Sequence, residues 1–239
     1  AAGLVQGRWR GADAGKARSA AFLGIPFAEA PIGELRFGAP VPKSPWEGVF
    51  DAAEFGATAQ RGDPGVTLIP EPSVEGESTL NVNVFTPFPV LQEVAAAAEP
   101  QELLPVLVWI HGGCYFAGSP ASPWYDGRAF NRDGVVTVSI SYRLGFDGFG
   151  WLEDAPSNRG VLDWLLALEW VQRNIAAFGG DPGRVTIAGQ SAGGAAALAL
   201  LASPLANSLF NQVIAHSAPH LSMDRGKAEQ IGRALALAV

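Results

Sequence analysis

Ser191 stands in the run Gly189-Gln190-Ser191-Ala192-Gly193, a G-x-S-x-G pattern. A serine hydroxyl is a weak nucleophile until the backbone presents it and a base accepts its proton. Glycines two residues to either side permit that presentation, because a tight strand-to-helix turn leaves no room for side chains there. Residues 184–188 read as a strand and the apolar residues 195–201 as a helix, which is the context the pattern needs. A helix beginning after Ser191 would aim its dipole and free N–H groups at developing negative charge. The plainer alternative is a glycine-rich joint between strand and helix; the flanking elements favour the catalytic reading. No G-x-x-x-x-G-K-[ST] or G-x-G-x-x-G run occurs, which excludes the common phosphate-binding loops.

A second constellation, His111-Gly112-Gly113-Cys114, directly follows the apolar run 106–110. An acyl-transfer enzyme stabilises an oxyanion with preorganised donors. Consecutive glycines leave backbone N–H groups unshielded, although an ordinary strand-end turn would carry the same residues. Two such motifs at two strand ends, in the order hydrolases use, argue against coincidence.

The elements that must position these residues follow from hydrophobic patterning. Residues 3–10 and 20–25 read as short strands bounded by glycines. The Pro- and Gly-rich stretch 26–45 reads as an ordered loop laid over a core, with Phe27, Leu35 and Phe37 interspersed. Residues 94–104, rich in Ala and Glu, read as a surface connection or short helix. The runs 106–110 and 135–140 predict strands buried on both faces. Val161, Leu165, Leu168, Val171 and Ile175 recur at helical spacing after Asn158 as N-cap, and Gly179-Gly180-Asp181-Pro182 predicts the stop. A strand at 184–188, a buried helix at 195–201 ended by Pro204 and a strand at 212–215 complete the pattern. Strands alternating with helices predict an α/β fold with a mostly parallel central sheet and helices on both faces. No internal repeat or domain boundary is visible, so residues 1–239 read as part of one catalytic domain.

Composition narrows the partners. With 48% hydrophobic and 16% charged residues over 239 positions, the chain is globular rather than disordered. A net charge of −7 without any basic run argues against nucleic acid. No apolar stretch reaches the roughly 18 to 20 residues that span a bilayer. Cys114 is the single cysteine, and no Asn-x-Ser/Thr sequon occurs, which together point to a cytoplasmic, bacterial protein.

Several segments resemble the type B carboxylesterases, the family of cholinesterases and para-nitrobenzyl esterases. They are residues 24–29 with Leu35-Arg36-Phe37, residues 109–118, Tyr142-Arg143-Leu144-Gly145, residues 167–182, residues 185–194, and Leu209-Phe210 with His216-Ser217. The resemblance implies an α/β-hydrolase fold and a serine carboxylic-ester hydrolase acting on a small-molecule ester. It implies Ser191 as nucleophile and an oxyanion hole from the backbone N–H groups of Gly113, Cys114 and Ala192. Gly112, Gly189 and Gly193 would support these groups, and Arg36 and Glu77 would form a structural salt bridge. No metal and no organic cofactor is required.

There are departures from that family. Gln190 stands where it usually has Glu, and Cys114 where Gly or Ala is usual. Thr79 replaces a disulfide cysteine. His216 stands where Gln is common. The family's catalytic acid and His lie farther along than Val239, in the chain order Ser, acid, His. His111, His216 and His220 are poor substitutes by order and placement, and Asp224 and Glu229 read as solvated charges. A missing or separate C-terminal part, carried by a second polypeptide, is therefore expected to complete the triad. Trp109, Tyr115, Phe116 and Trp124 are candidates for an apolar substrate pocket, with core packing an equal alternative for Trp109. Three other readings stay open: a non-catalytic binding protein on this fold, an inactive fragment, and carbamates or aryl amides as substrates.

Overall fold

The computed structural model describes residues 3–10, 19–60, 68–87, 102–220 and 222–237. Most of the Ala- and Glu-rich segment 94–104 lies outside these residues. The strands are β1 (Leu4–Gln6), β2 (Arg8–Arg10), β3 (Ser19–Pro26), β4 (Val49–Asp51), β5 (Asn81–Thr86), β6 (Leu104–Ile110), β7 (Val136–Ile140), β8 (Gly180–Gln190) and β9 (Gln212–His216). The α-helices are α1 (Arg128–Arg132), α2 (Gly145–Phe149), α3 (Arg159–Asn174), α4 (Ala192–Ala202) and α5 (Arg225–Ala236).

Among the described residues, one seven-stranded sheet runs β2-β3-β5-β7-β6-β8-β9, and β1 pairs with β4 apart from it. The sheet is mixed. β2, β3, β5 and β7 pair antiparallel in succession, whereas β7, β6, β8 and β9 pair in parallel. The expectation of a mostly parallel sheet thus holds only for the half that follows β6. Parallel neighbours need a crossover: the residues between β6 and β7 include α1, those between β8 and β9 include α4, and the connection from β7 to β8, which contains α3, passes over β6.

β7 is buried at every position, as expected for residues 135–140, although Thr137 and Ser139 alternate with its apolar residues. β6 buries Val106, Val108 and Ile110 on one face and leaves Leu107 and Trp109 half-buried on the other. β5 escapes the apolar patterning because Asn81 and Asn83 interrupt it, yet all six of its residues are buried. Asn81 Nδ2 donates to Ala57 O at 2.8 Å and to Ser78 O at 3.0 Å, while its Oδ1 has no partner among the described residues. Asn83 Oδ1 accepts from Gly24 N at 2.9 Å, and its Nδ2 donates to Ser139 Oγ at 3.0 Å.

α3 buries Trp164, Leu165, Leu168 and Val171 against the sheet, as its spacing predicts. Asn158 occupies the N-cap position, but in a left-handed conformation with no side-chain cap bond. Its carbonyl instead accepts from Val161 N at 2.9 Å. The helix ends at Asn174, four residues of 3₁₀ helix follow, and β8 begins at Gly180. The apolar run 195–201, which reads as a buried helix, lies within α4. It buries Ala196, Ala197 and Leu200, while Leu198 and Leu201 are exposed among the described residues. α5 was not expected; Asp224, read as a solvated charge, caps it by accepting from Lys227 N at 3.0 Å. No helix among the described residues is long and apolar enough to cross a membrane.

Candidate active site

The two motifs meet because their strands are neighbours. β6 and β8 run in parallel with Ile110 opposite Gly189, so His111-Gly112 and Gln190-Ser191 leave the sheet side by side at its carboxyl edge. Open α/β sheets collect ligands at that edge. A Cβ built on Gly112 would lie 3.3 Å from Ser191 Cβ. Gly112 is therefore pressed against the serine, and no larger residue fits between them.

Ser191 has φ 57° and ψ −123°, outside the regions that L-residues favour. Such backbone costs about 1–3 kcal/mol and persists only where the surroundings impose it. Here they do. Ser191 N donates to His216 O at 2.9 Å, and Ser191 O accepts from Ala195 N at 3.0 Å. One bond ties the turn to β9 and the other starts α4. A Cβ on Gly193 would overlap the Ile110 carbonyl, and one on Gly189 would overlap Gly193, so both flanking glycines are required by close approach. Ser191 itself is partly exposed and Ala192 is buried. The Ala192 N–H belongs to the first turn of α4, where backbone donors have no helical partner.

The turn after His111 has positive φ at three successive residues, Gly113, Cys114 and Tyr115. Phe116 N donates to Gly113 O at 3.1 Å. With Cys114 at φ 53° and Tyr115 at φ 65° in the central positions, this matches a type I′ turn. Among the described residues, the N–H groups of Gly113 and Cys114 have no hydrogen-bond partner. The Cys114 side chain is exposed.

His111 is buried and stacks on Tyr142, with ring centroids 4.4 Å apart. Its Nδ1 lies 2.8 Å from Gly112 O. Burial pulls its pKa down to about 4, against which the bond to Gly112 O works in the opposite direction. Tyr142 donates its hydroxyl proton to His111 O at 2.8 Å, and burial raises its pKa well above the ordinary phenol value. Farther along the turn, Gly118 N donates to Gln60 Oε1 at 2.8 Å. Sequence reasoning missed Tyr142 and Gln60 as supports. Tyr142 lies inside a segment quoted only for its family likeness, and Gln60 carries no local signal.

Among the described residues no histidine side chain bonds to Ser191 Oγ. His111 is committed to Gly112, His216 is exposed at the end of β9, and His220 Nε2 lies 2.9 Å from Ser222 Oγ. The described residues hold no cluster of metal-ligating side chains. Of the candidate aromatics, Tyr115 packs on Phe149 and Trp109 on Tyr125, whereas Phe116 and Trp124 are exposed.

The expected Arg36–Glu77 salt bridge is not formed. Arg36 Nε instead donates to Asp147 Oδ2 at 3.1 Å. Arg36, Glu77 and Asp147 line one cavity of about 400 Å³ away from Ser191, and the start of α2 presents Asp147 to the guanidinium.

The model of the carboxylesterase family matches residues 1–239. Para-nitrobenzyl esterase of Bacillus subtilis (strain 168) is 41% identical over 211 residues, which cover 86% of this chain and 41% of that protein. The medium-chain fatty acyl-CoA hydrolase precursor of Anas platyrhynchos is 44% identical over 209 residues, 82% of this chain and 36% of that one. A solved PNB esterase structure matches with a TM-score of 0.84 and 37% identity, over 98% of this chain and 46% of that one. The chain spans about two fifths of the length of these curated relatives.

Proposed function

Because the chain belongs to the carboxylesterase family, we propose that it bears the nucleophile and oxyanion hole of a serine ester hydrolase acting on small-molecule esters. One observation carries the reading: Ser191 is held at φ 57° on a strand-to-helix turn, pressed against a turn whose Gly113 and Cys114 N–H groups are unbonded. In the mechanism, Ser191 Oγ attacks the acyl carbon while a general base removes its proton. The carbonyl oxygen becomes an oxyanion and accepts from the N–H groups of Gly113, Cys114 and Ala192. Each such donor contributes on the order of 100- to 1000-fold in rate. The C–O bond to the alcohol then breaks and the base returns its proton to the leaving oxygen. Water attacks the acyl-serine by the same route and releases the acid.

The base and its acid partner are assigned to residues beyond the sequence described, on the same polypeptide or a second one. The three histidines within it are already engaged or turned to solvent. No metal or organic cofactor enters these steps.

The test is labelling by a fluorophosphonate, followed by intact-mass measurement and peptide mapping. A single adduct on Ser191 is expected, and Ser191→Ala should lose both the adduct and hydrolysis of a para-nitrophenyl ester while keeping the wild-type far-UV spectrum. Turnover by Ser191→Ala at the wild-type rate would refute the assignment.

A further inference from the structure

We infer that His111 is a positioning residue, whose Nδ1–H aims the Gly113 N–H by anchoring the Gly112 carbonyl. The inference rests on the esterase reading above, because it assigns a job to the aim of a donor in the oxyanion hole.

The geometry runs through one peptide unit. Gly112 O and Gly113 N–H belong to the same planar trans peptide, in which C=O and N–H point in opposite directions. Fixing the carbonyl therefore fixes the donor, facing away from the imidazole. His111 Nδ1 lies 2.8 Å from Gly112 O. A carbonyl oxygen has only lone pairs to offer, so the bond requires the proton on Nδ1. The neighbouring peptide does not need this help. Gly113 O accepts from Phe116 N at 3.1 Å and from Ala117 N at 2.9 Å, so the turn itself orients the Cys114 N–H. Gly113, flanked by glycine and free of a Cβ, has no such internal restraint on its N–H, and the imidazole is what bonds the carbonyl of that peptide among the described side chains.

The imidazole is itself held. Tyr142 stacks on it with ring planes inclined by 20°, and the Tyr142 hydroxyl donates to His111 O at 2.8 Å. Gly118 packs against its Nδ1 edge so closely that a Cβ there would overlap the ring. A donor that also polarises the carbonyl strengthens the N–H at the other end of the same peptide, since linked hydrogen bonds reinforce one another.

The deciding comparison is His111→Asn against His111→Leu, in the protein at its full natural length. Asn keeps a donor nitrogen near the position of Nδ1, whereas Leu has nearly the same shape and no donor. Both lose the ring, so a packing effect moves the two alike. We expect kcat of His111→Leu to fall about 10- to 100-fold below that of His111→Asn while KM agrees within about threefold, a part of the loss seen when an oxyanion donor is deleted outright. Equal kcat in the two variants would overturn the inference. With Ser191→Ala inactive in the same assay, that outcome sinks only the role of His111; an active Ser191→Ala sinks the esterase reading itself. A measurement on the wild type needs no variant to fold: ¹⁵N NMR of labelled histidine at pH 7 should show His111 as the neutral Nδ1–H tautomer, and the Nε2–H tautomer would refute the inference.

Discussion

Cys114 and Tyr115 occupy turn positions that Asn and Gly ordinarily fill, and the neighbouring His111 is neutral where a histidine in water would titrate. The second point has a measurable consequence. Burial takes His111 from an ordinary 6.5 to about 4, so between those values the unfolded chain binds a proton that the folded chain refuses. Stability therefore rises with pH across this window. The contribution of His111 is complete above about pH 6.5 and declines as pH falls towards 4, by something of the order of 3 kcal/mol. Urea titrations of wild type and His111→Asn at pH 7.5, 5.5 and 4 would read it. Their difference in unfolding free energy should shift against the wild type over that range. A pH-independent difference would mean that His111 is not neutral in the fold.

At the scale of elements, the β8–α4 turn is closed by backbone packed on backbone. Gly193→Ala would drive a methyl group into the Ile110 carbonyl, which is fixed in β6 and cannot swing aside. Overpacking of this kind costs about 1–3 kcal/mol, and a lowered urea midpoint with an unchanged slope would show it. Much of the frame around this turn was legible beforehand. Residues 106–110, 135–140 and 184–188 read as strands because they are short runs rich in apolar and β-branched residues, and β6, β7 and β8 form there. β5 was illegible because Asn81 and Asn83 look like surface residues until Ala57 and Ser78 are beside the one amide and Gly24 and Ser139 beside the other. Strand direction was illegible too: a composition that predicts burial is the same for parallel and antiparallel neighbours. Within the site, Ser191 and its glycines were legible because close approach demands particular residue types. Tyr142 and Gln60 were not, since both act through backbone groups distant in sequence. The ion pair of Arg36 was read with the wrong partner, because long side chains choose among nearby charges by three-dimensional reach.

At the scale of the whole molecule, one buried ion pair joins segments far apart in the chain. Arg143, just past β7, grips Asp163 of α3 at 2.6 Å, and its Nη1 also donates to Gly38 O at 2.7 Å and Arg36 O at 3.0 Å. Asp163→Ala would strand that guanidinium in the interior. A loss of about 3–5 kcal/mol is expected, visible as a large drop in Tm, and a shift within the range of a surface substitution would refute the reading. The parallel half of the sheet has a different dependence on chain order. Ser191 N finds its acceptor on His216, the last residue of β9, so the turn that carries the serine is completed by a strand made after it. On the ribosome, a nascent chain halted before Gln212 holds the whole G-x-S-x-G sequence yet lacks the carbonyl that locks it. The bent serine therefore gains its last backbone restraint only when β9 has cleared the exit tunnel and joined the sheet.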